Sequence, residues 1–457
     1  MFESDTIAAI STSLSEGGIG IIRLSGNEAV EICDKIYRGK NKLKDVDSHT
    51  IHYGHIYDGD TLIDEVMVSV MRGPKSYTKE DVVEINCHGS IYLLKEVLSL
   101  LFNNGARPAE PGEFTKSAFL NGRIDLSQAE SVMDLISSQN EFAAKNSLRQ
   151  LEGYLKERVV SLREKLIFEI AYIESALDDP EHISLDGYGN HLDEVITPIL
   201  NEIKEFIDSS KDGSYLKNGI RTVIVGKPNV GKSSLLNVLA KRERAIVTDI
   251  PGTTRDTLEE QISFGEFSLH VIDTAGIHKT DDQVERIGVK KALSSIEEAD
   301  LILYVVDSSS DLDDEDFQIM DRIKNEKSIV LLNKSDLDQN VSEDKIKEVL
   351  PDKKIIYMSA ANHSGVDNLK SEIRSMFFNG EIFLNNEVYI TNERQKFSFE
   401  QAYQSLMQVR NSIENQMPED FFSIDLMDAY EALGKIVGES VDDDLVNEIF
   451  SKFCMGK

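Results

Sequence analysis

The chain has 457 residues, 28% of them charged and 40% hydrophobic, which predicts a soluble globular protein of about three domains. Its formal net charge of -32 disfavours a general nucleic-acid binder, because phosphate binding depends largely on lysine and arginine, although an acidic surface more often simply keeps a protein soluble. No apolar run approaches the roughly 18 residues of a membrane span, and the N-terminus lacks signal-peptide features. Three widely separated cysteines indicate neither a disulfide framework nor a zinc site, so a reducing cytoplasm is expected.

Residues 1–120 are predicted to form a mixed α/β domain. Strands are expected over 19–24 and 81–87, and a hairpin over 51–57 and 66–71 around the turn at 58–60. Residues 91–102 have helical periodicity. The proline-containing segment 107–114 predicts a linker or an ordered loop.

The pattern becomes helical after residue 125. Apolar residues recur every three or four positions over 148–177, which predicts one long amphipathic helix, and a second helix is expected over about 191–209. Further helices are predicted over 397–413, 426–437 and 443–453. Because neither flank is a complete bundle, we expect one helical domain built from residues 121–216 and 381–457, with 217–380 inserted; two separate helical modules are the alternative.

Residues 217–380 alternate strands with helices, which predicts a mainly parallel sheet. Strands are expected over 222–225, 269–273, 301–307, 329–333 and 355–359.

Residues 226–234 follow the first of these strands, precede a helix and match the phosphate-loop pattern G-x-x-x-x-G-K-S. Backbone N–H groups and the helix N-terminus would surround a polyphosphate. Lys232 would reach the β- and γ-phosphates, and the Ser233 hydroxyl would bind Mg²⁺. The alternative interpretation of residues 226–234 is a glycine-rich turn that matches the pattern by chance. The preceding strand, Lys232, Ser233 and the following helix together disfavour that alternative.

Four further motifs follow in the order of a GTPase domain. In the polar loop 248–256, Thr254 is the predicted second Mg²⁺ ligand. The Asp-Thr-Ala-Gly run that begins at Asp273 would hold the Mg²⁺ shell and meet the γ-phosphate through the Gly276 N–H.

The last two motifs are assigned to the base. In the Asn-Lys-Ser-Asp run at 333–336, Asp336 would accept both guanine N–H donors, which adenine cannot supply, and so select GTP. The Ser-Ala-Ala run at 359–361 would brace the base. The predicted GTP contacts are Asn229, Val230, Gly231, Lys232, Ser233, Ser234, Thr248, Asp249, Ile250, Pro251, Gly252, Thr253, Thr254, Asp273, Thr274, Ala275, Gly276, Asn333, Lys334, Asp336, Ser359, Ala360 and Ala361.

Small signalling GTPases place a water-orienting glutamine directly after the Asp-x-x-Gly motif, where this chain has Ile277. Another group must therefore polarise the water. Asn229 and the segment 248–253 offer oxygen ligands for a monovalent cation, and Glu285 offers a carboxylate. From these residues alone, Asn229 could equally make an ordinary loop hydrogen bond, and Glu285 could be a solvated charge on a helix.

The whole chain resembles the MnmE (TrmE) family of bacterial and organellar tRNA-modification GTPases. Besides the nucleotide motifs, the resemblance rests on residues 18–26, 107–114, 118–122, 125–130 and the Phe-Cys-Met-Gly-Lys run at 453–457. It implies a multidomain α/β and all-α fold: an N-terminal α+β dimerisation and folate-binding domain, a discontinuous helical domain and an inserted Ras-like P-loop GTPase domain.

The family resemblance also implies a function. The protein would hydrolyse GTP in a complex with the FAD-containing MnmG, forming a heterotetramer. This complex would add the (carboxymethyl)aminomethyl group at C5 of the wobble uridine of certain tRNAs, using a one-carbon unit from a formyl or methylene tetrahydrofolate. Dimerisation would use the N-terminal domain, and the GTPase domains would approach each other in a K⁺-dependent way.

The same resemblance assigns residues to these roles. The K⁺ ligands would be Asn229, Thr248, Ile250 and Thr253, and Glu285 would be catalytic. Folate contacts would be Arg23, Glu84, Arg123 and Lys457. Arg123 stands where some relatives have lysine, which keeps the charge and changes the hydrogen-bond geometry. Cys454 could be a catalytic thiol or a structural cysteine.

A GTP-switched ribosome-assembly or scaffold protein is the alternative function. It would need hydrolysis and no further chemistry. The folate-related residues and the Phe-Cys-Met-Gly-Lys run favour the tRNA-modifying enzyme.

Overall fold

The computed structural model describes residues 5–242, 260–272, 295–378, 388–439, 441 and 443–456. The chain divides into two compact units. The first comprises Met1–Met133, Gln150–Ile183 and Leu426–Lys457, and the second comprises Asp134–Arg149 and Ser184–Asp425. Within the described ranges, no helix has both the length and the hydrophobicity to cross a membrane.

The strands and helices of the described ranges are these, in chain order. The strands are β1 Ile7–Ile10, β2 Gly17–Ser25, β3 Tyr37–Gly39, β4 Thr50–Asp58, β5 Thr61–Met71, β6 Val82–Gly89, β7 Arg107–Pro108, β8 Ile220–Val225, β9 Glu260–Ser263, β10 Ser268–Val271, β11 Leu301–Asp307, β12 Ser328–Asn333 and β13 Lys354–Tyr357. The helices are α1 Ala29–Ile36, α2 Ile91–Asn103, α3 Glu113–Leu120, α4 Leu126–Ile136, α5 Glu141–Leu151, α6 Tyr154–Asp178, α7 Tyr188–Asn218, α8 Lys232–Arg242, α9 Asp314–Ile323, α10 Glu343–Lys347, α11 Val366–Phe378, α12 Glu393–Glu414, α13 Asp420–Val437 and α14 Asp443–Ser451.

The first unit contains a seven-stranded sheet with strand order β3-β4-β5-β6-β2-β1-β7. The pairing of β1 with β7 is parallel, and the other pairings are antiparallel. Ile22 and Leu24 of β2 are buried in a core shared with α1 and α2, and Arg23 between them belongs to the opposite face. The predicted strands, the hairpin and the helix over 91–102 are confirmed.

The prediction of a linker or loop over 107–114 is wrong for part of that segment. Arg107 and Pro108 form β7, because Arg107 N donates to Thr6 O at 2.9 Å. Pro108 is tolerated there because β7 lies at the sheet edge. Arg107 also pairs with Glu113, the first residue of α3, at 2.5 Å. A two-residue strand has no periodicity by which a sequence pattern could reveal it.

The single long helix predicted over 148–177 is also wrong. The chain forms α5 and α6, separated at Gly153, which has a left-handed φ of 97°. Leu155 and Val159 of α6 are fully buried, whereas Leu148 of α5 is 46% exposed. The apolar spacing continues across the break in the sequence, but Leu148 does not extend the buried stripe of α6.

The second unit contains a six-stranded sheet with strand order β13-β12-β11-β8-β10-β9. Its pairings are parallel except for β9, which is antiparallel to β10 at one edge. The predicted mainly parallel sheet is therefore confirmed, with β9 as an addition. The carboxyl ends of β8, β11 and β12 lie at one edge of the sheet, where open parallel sheets bind ligands.

In the second unit, helices that precede the parallel sheet in sequence pack against helices that follow it. Helix α7, longer than the predicted 191–209, runs beside α12. Phe206 stacks on Phe399 with ring centroids 4.9 Å apart, and Arg410 Nε donates to Asp193 Oδ1 at 2.8 Å. Within the second unit, helices that precede and follow the parallel sheet in sequence thus pack together. The single helical domain over 121–216 and 381–457 stays a prediction, because residues 150–183 and 426–457 belong to the first unit.

Candidate functional site

The loop after β8 has the geometry of a phosphate cradle. Gly226 and Gly231 flank Asn229, whose φ of 62° is left-handed. A Cβ on Gly226 would collide with the carbonyl oxygen of Val305 on β11, and one on Gly231 would collide with Asn333 Nδ2. Both glycines are therefore required because the loop lies directly against neighbouring strand ends.

Lys232 is held by its own loop. Its side chain is buried, and Nζ donates to the carbonyl oxygens of Gly226 at 2.9 Å and Lys227 at 2.6 Å. Lys232 is also the first residue of α8, so the backbone N–H groups of the helix start beside this ammonium. The Lys232 ammonium and the first backbone N–H groups of α8 thus lie within the same short loop-to-helix segment, a combination that suits an anion.

A second lysine anchors the loop from outside. Lys227 Nζ lies 2.8 Å from Asp313 and 2.6 Å from Asp316, and Tyr304 donates its hydroxyl to Asp316 Oδ1 at 3.0 Å. Burial acts to lower the pKa of Lys227, but the hydrogen bonds to both carboxylates outweigh it and raise that pKa above its ordinary value. The ammonium therefore stays charged, and the loop is tied to the start of α9.

Asn333 connects the phosphate loop to the last nucleotide motif. Its Nδ2 donates to Val230 O at 2.8 Å, and its Oδ1 accepts from Ala360 N at 3.1 Å. Asp336 accepts a hydrogen bond from Ser359 Oγ at 2.5 Å and is exposed. Asn333 therefore positions the surrounding loops, and Asp336 is the group accessible to a ligand.

These loops line an open pocket of about 440 Å³, a volume within the usual range for small-molecule sites. Three of the predicted nucleotide motifs contribute to its walls. The lining residues are Gly231, Ser234, Asn237, Val238, Asn333, Lys334, Asp336, Leu337, Ser359, Ala360 and Ala361.

A separate polar site lies on the sheet of the first unit. Arg23 Nε and Nη2 both bond Glu84 Oε1, at 2.9 and 2.8 Å, across the β2–β6 pair. The Tyr77 ring has two guanidinium neighbours, Arg23 at 5.7 Å and Arg123 at 4.8 Å from its centroid. The centroid of the Phe114 ring lies 5.6 Å from the Arg23 guanidinium. The site therefore combines two cations, one carboxylate and the half-buried ring of Tyr77, with Phe114 buried beneath it in the core.

The C-terminal segment reaches this polar site. The carbonyl oxygen of Gly456 accepts from Ser11 Oγ at 3.0 Å and from Arg23 Nη1 at 3.4 Å. Gly456 has a φ of 82°, and a Cβ there would collide with Ile10 O. A similar close approach occurs at Gly112, where a Cβ would lie 2.7 Å from Phe453 Cβ. Ser11 and Gly456, which are 445 positions apart in sequence, thus meet beside the Arg23–Glu84 pair.

Two family models match the chain. The model described as the GTP-binding protein TrmE N-terminus matches residues 6–123, and the MnmE helical domain model matches residues 126–454. A tRNA modification GTPase MnmE from Lachnoclostridium phytofermentans is 55% identical over 458 residues and covers 100% of both chains. The chain belongs to the MnmE family of tRNA modification GTPases.

Two further relatives match over almost the full length of the chain, and a solved structure matches over a smaller part. MnmE proteins from Staphylococcus haemolyticus and Staphylococcus aureus are each 46% identical over 456 residues, covering 99% of this chain and 99% of theirs. A crystal structure of Aquifex aeolicus Era bound to GDP and AlF4⁻ is 28% identical, covering 41% of this chain and 67% of Era, with a TM-score of 0.28. With a TM-score this low, the family assignment rests on the full-length relatives and the family models.

The predicted MnmE site residues fall into two groups. Those in the phosphate loop, at 333–336 and at 359–361 are brought together, and so are Arg23, Glu84 and Arg123. The others lie outside the described residues: Thr248, Asp249, Ile250, Pro251, Gly252, Thr253, Thr254, Asp273, Thr274, Ala275, Gly276, Ile277, Glu285 and Lys457.

Sequence reasoning missed several residues of both sites. Asn237 and Val238 line the cavity from α8, and Lys227 anchors the loop. Tyr77 and Ser11 belong to the polar site of the first unit. Of these five residues, only Lys227 could have been found from the sequence, because it lies inside the phosphate-loop pattern. Asn237, Val238, Tyr77 and Ser11 belong to no recognisable sequence motif.

Proposed function

We propose that the protein is the GTP-hydrolysing component of a cytoplasmic complex with the FAD-containing MnmG. The complex adds the carboxymethylaminomethyl or aminomethyl group at C5 of the wobble uridine of certain tRNAs, with a one-carbon unit from tetrahydrofolate. The observation that carries this proposal is the presence of two separately built sites in one chain of the MnmE family. One suits a guanine nucleotide, and the other suits a flat, anionic ligand.

For the nucleotide, Asp336 would accept from the guanine base, and Lys232 would exchange its loop carbonyls for phosphate oxygens. A phosphate offers this lysine a full negative charge in place of a carbonyl dipole, which strengthens the hydrogen bonds. Ser233 and Thr254 would hold Mg²⁺, which prefers oxygen ligands and retains waters. The position of Ser233 at the start of α8 suits this role.

For the folate derivative, Glu84 would accept from the donor edge of the pterin, with Arg23 fixing its carboxylate. The half-buried Tyr77 offers a ring face on which a pterin can stack, and the buried Phe114 packs beside the Arg23 guanidinium. Arg123 and Lys457 would meet the anionic glutamate tail. The placement of Gly456 beside Ser11 and Arg23 supports the inclusion of Lys457.

Homodimerisation would use the open face of the N-terminal sheet. Ile19 is 62%, Ile51 67%, Tyr53 60% and Met67 50% exposed. Strand register places Tyr53 opposite Met67, and alternation along β4 places Ile51 on the same face. Contact with a second copy of this face would remove that apolar surface from water. MnmG would then complete a heterotetramer.

Hydrolysis would depend on K⁺, for which Asn229, Thr248, Ile250 and Thr253 would supply oxygen ligands. The exposed side chain and left-handed backbone of Asn229 support its part in this site. We predict GTP turnover about tenfold faster in K⁺ than in Na⁺ at matched ionic strength, because a fixed cation would offset charge that develops in the transition state. Initial phosphate-release rates in the two salts test this, and equal rates would remove the cation from the mechanism.

Glu285 would orient the attacking water in the absence of a glutamine at position 277. We predict that Glu285→Ala lowers kcat roughly 100-fold, since a general base typically contributes at least this much. Affinity for GTP should change by less than about twofold, because the carboxylate acts on water and not on the nucleotide. Single-turnover hydrolysis and GTP titration measure the two effects, with Glu285→Gln as the isosteric control. A large loss of affinity would instead mark Glu285 as structural.

The whole proposal is tested by reconstituting the protein with MnmG, a tetrahydrofolate derivative, GTP and unmodified tRNA, followed by nucleoside analysis. The expected product is the modified wobble uridine, formed only when GTP and the folate are present. GTP hydrolysis without any modified nucleoside would favour the assembly or scaffold alternative.

A further inference from the structure

Asp307 lies between the two loops of the nucleotide site, although no nucleotide motif includes it. It is the last residue of β11, the strand between β8, which leads into the phosphate loop, and β12. In the register of β11 and β12, Asp307 stands opposite Asn333, the first residue of the guanine motif. A side chain at this position can act on both loops.

Both carboxylate oxygens of Asp307 are used. Oδ2 accepts from Lys334 Nζ at 2.5 Å, and Oδ1 accepts from Ser309 N at 3.0 Å and Ser309 Oγ at 2.6 Å. Burial acts to raise the pKa of Asp307, but the hydrogen bonds from Lys334 and Ser309 outweigh it and hold the pKa below its ordinary value. The carboxylate is therefore charged at neutral pH.

Lys334 is itself constrained. Its φ of 62° is left-handed, which is unfavourable for a residue with a Cβ, and the ion pair with Asp307 gives this conformation a compensating contact. Lys334 lines the cavity that also contains Asp336. A lysine can bury its aliphatic stem against a ligand only if its ammonium finds a polar partner, and Asp307 provides one.

We propose, on the basis of the nucleotide site described under the proposed function, that Asp307 is a positioning residue for guanine binding. It keeps the Lys334 ammonium occupied, so that the Asp336 carboxylate stays available for the two N–H donors of guanine. Without Asp307, Lys334 would be a cation two positions from Asp336 in the same cavity wall, and the two would pair. The lysine would then compete with the base.

The test uses Asp307→Asn in the full-length protein, with a fluorescent GDP analogue as the probe. The Kd for GDP should rise about tenfold, mainly through faster dissociation. The KM for GTP should rise similarly, with kcat changed by less than about twofold. Asp311→Asn is the matched control: Asp311 is an 82% exposed carboxylate, 3.9 Å from Lys345, and its loss should leave GDP affinity unchanged.

The double variant Asp307→Asn/Lys334→Met separates this role from a merely structural one. Methionine keeps an apolar stem and removes the competing charge, so the double variant should bind GDP more tightly than Asp307→Asn alone. An unchanged Kd in Asp307→Asn, or a double variant that binds GDP no more tightly than Asp307→Asn, would overturn the proposal.

A further variant covers the case in which Asp307→Asn does not fold. Ser309→Ala removes one donor to Asp307 and should raise the Kd about two- to threefold; no change would count against the proposal. Failure of the guanine site itself is distinguishable, because Asp336→Asn would then leave the affinity for guanine nucleotides unchanged.

Discussion

Asp336→Asn is expected to weaken GTP binding by about 100-fold or more and to improve binding of xanthosine triphosphate. A carboxylate accepts both N–H donors of guanine, whereas an asparagine places an NH₂ group opposite one of them. Xanthine carries an oxygen at that position, which accepts from the asparagine NH₂. In the structure, Ser359 Oγ holds Asp336 at 2.5 Å, so the substituted amide would keep the same place in the cavity.

Competition titrations with GTP, XTP and ATP against a fluorescent GDP analogue measure this effect. Asp338→Asn is the matched control, since Asp338 is an exposed carboxylate two residues further along that does not line the cavity. Its affinities should match those of the wild type. Unchanged GTP affinity in Asp336→Asn, with a normal thermal melt, would falsify the assignment of this cavity to guanine.

Arg23→Ala is expected to weaken binding of a formyl-tetrahydrofolate by about 30-fold or more, as loss of one partner of a hydrogen-bonded charge pair can cost about 2 kcal/mol or more. Arg23 bonds Glu84 through two nitrogens and donates to Gly456 O. Its removal would leave the Glu84 carboxylate without its cation and detach one contact of the C-terminal segment. On the proposed folate role, the Glu84 carboxylate would no longer be held in position to accept from the pterin.

Arg38→Ala provides the comparison on the same sheet. Arg38 also lies over an aromatic ring, that of Tyr57 at 4.1 Å, and pairs with an acidic residue, Asp60, at 3.6 Å. It lies outside the polar site, so its loss should leave folate affinity within about twofold of the wild type. Isothermal titration calorimetry measures the Kd of each variant for formyl-tetrahydrofolate, and circular dichroism checks that both variants are folded. Equal affinities in Arg23→Ala and the wild type would move the folate site elsewhere.

The nucleotide loops show how far local sequence can predict a site. The glycines, Lys232 and Ser233 were predicted because a phosphate loop places its donors within a few residues of one another, between a strand and a helix. The Asn-Lys-Ser-Asp run was assigned by its order behind that loop. Strand alternation likewise predicted the parallel sheet, since its strands are continuous apolar runs.

The two wrong predictions from sequence, over 107–114 and 148–177, arose where a local pattern is compatible with more than one structure. The apolar spacing over 148–177 fits one helix or two, and the left-handed Gly153 directly precedes the second of them. Within segment 107–114, Arg107 and Pro108 became a strand only through pairing with β1, about 100 residues away in sequence.

The sequence by itself determined the order of the nucleotide motifs, the mainly parallel sheet and the division of the helices between two flanks. These follow from backbone preferences and from spacing within a few residues. Only the tertiary structure decided that Asp307 holds Lys334, that Lys227 anchors the phosphate loop and that Gly456 meets Ser11, 445 positions away. The physical reason is that such contacts depend on which strand ends and termini the folded core brings together, and no local preference encodes that choice.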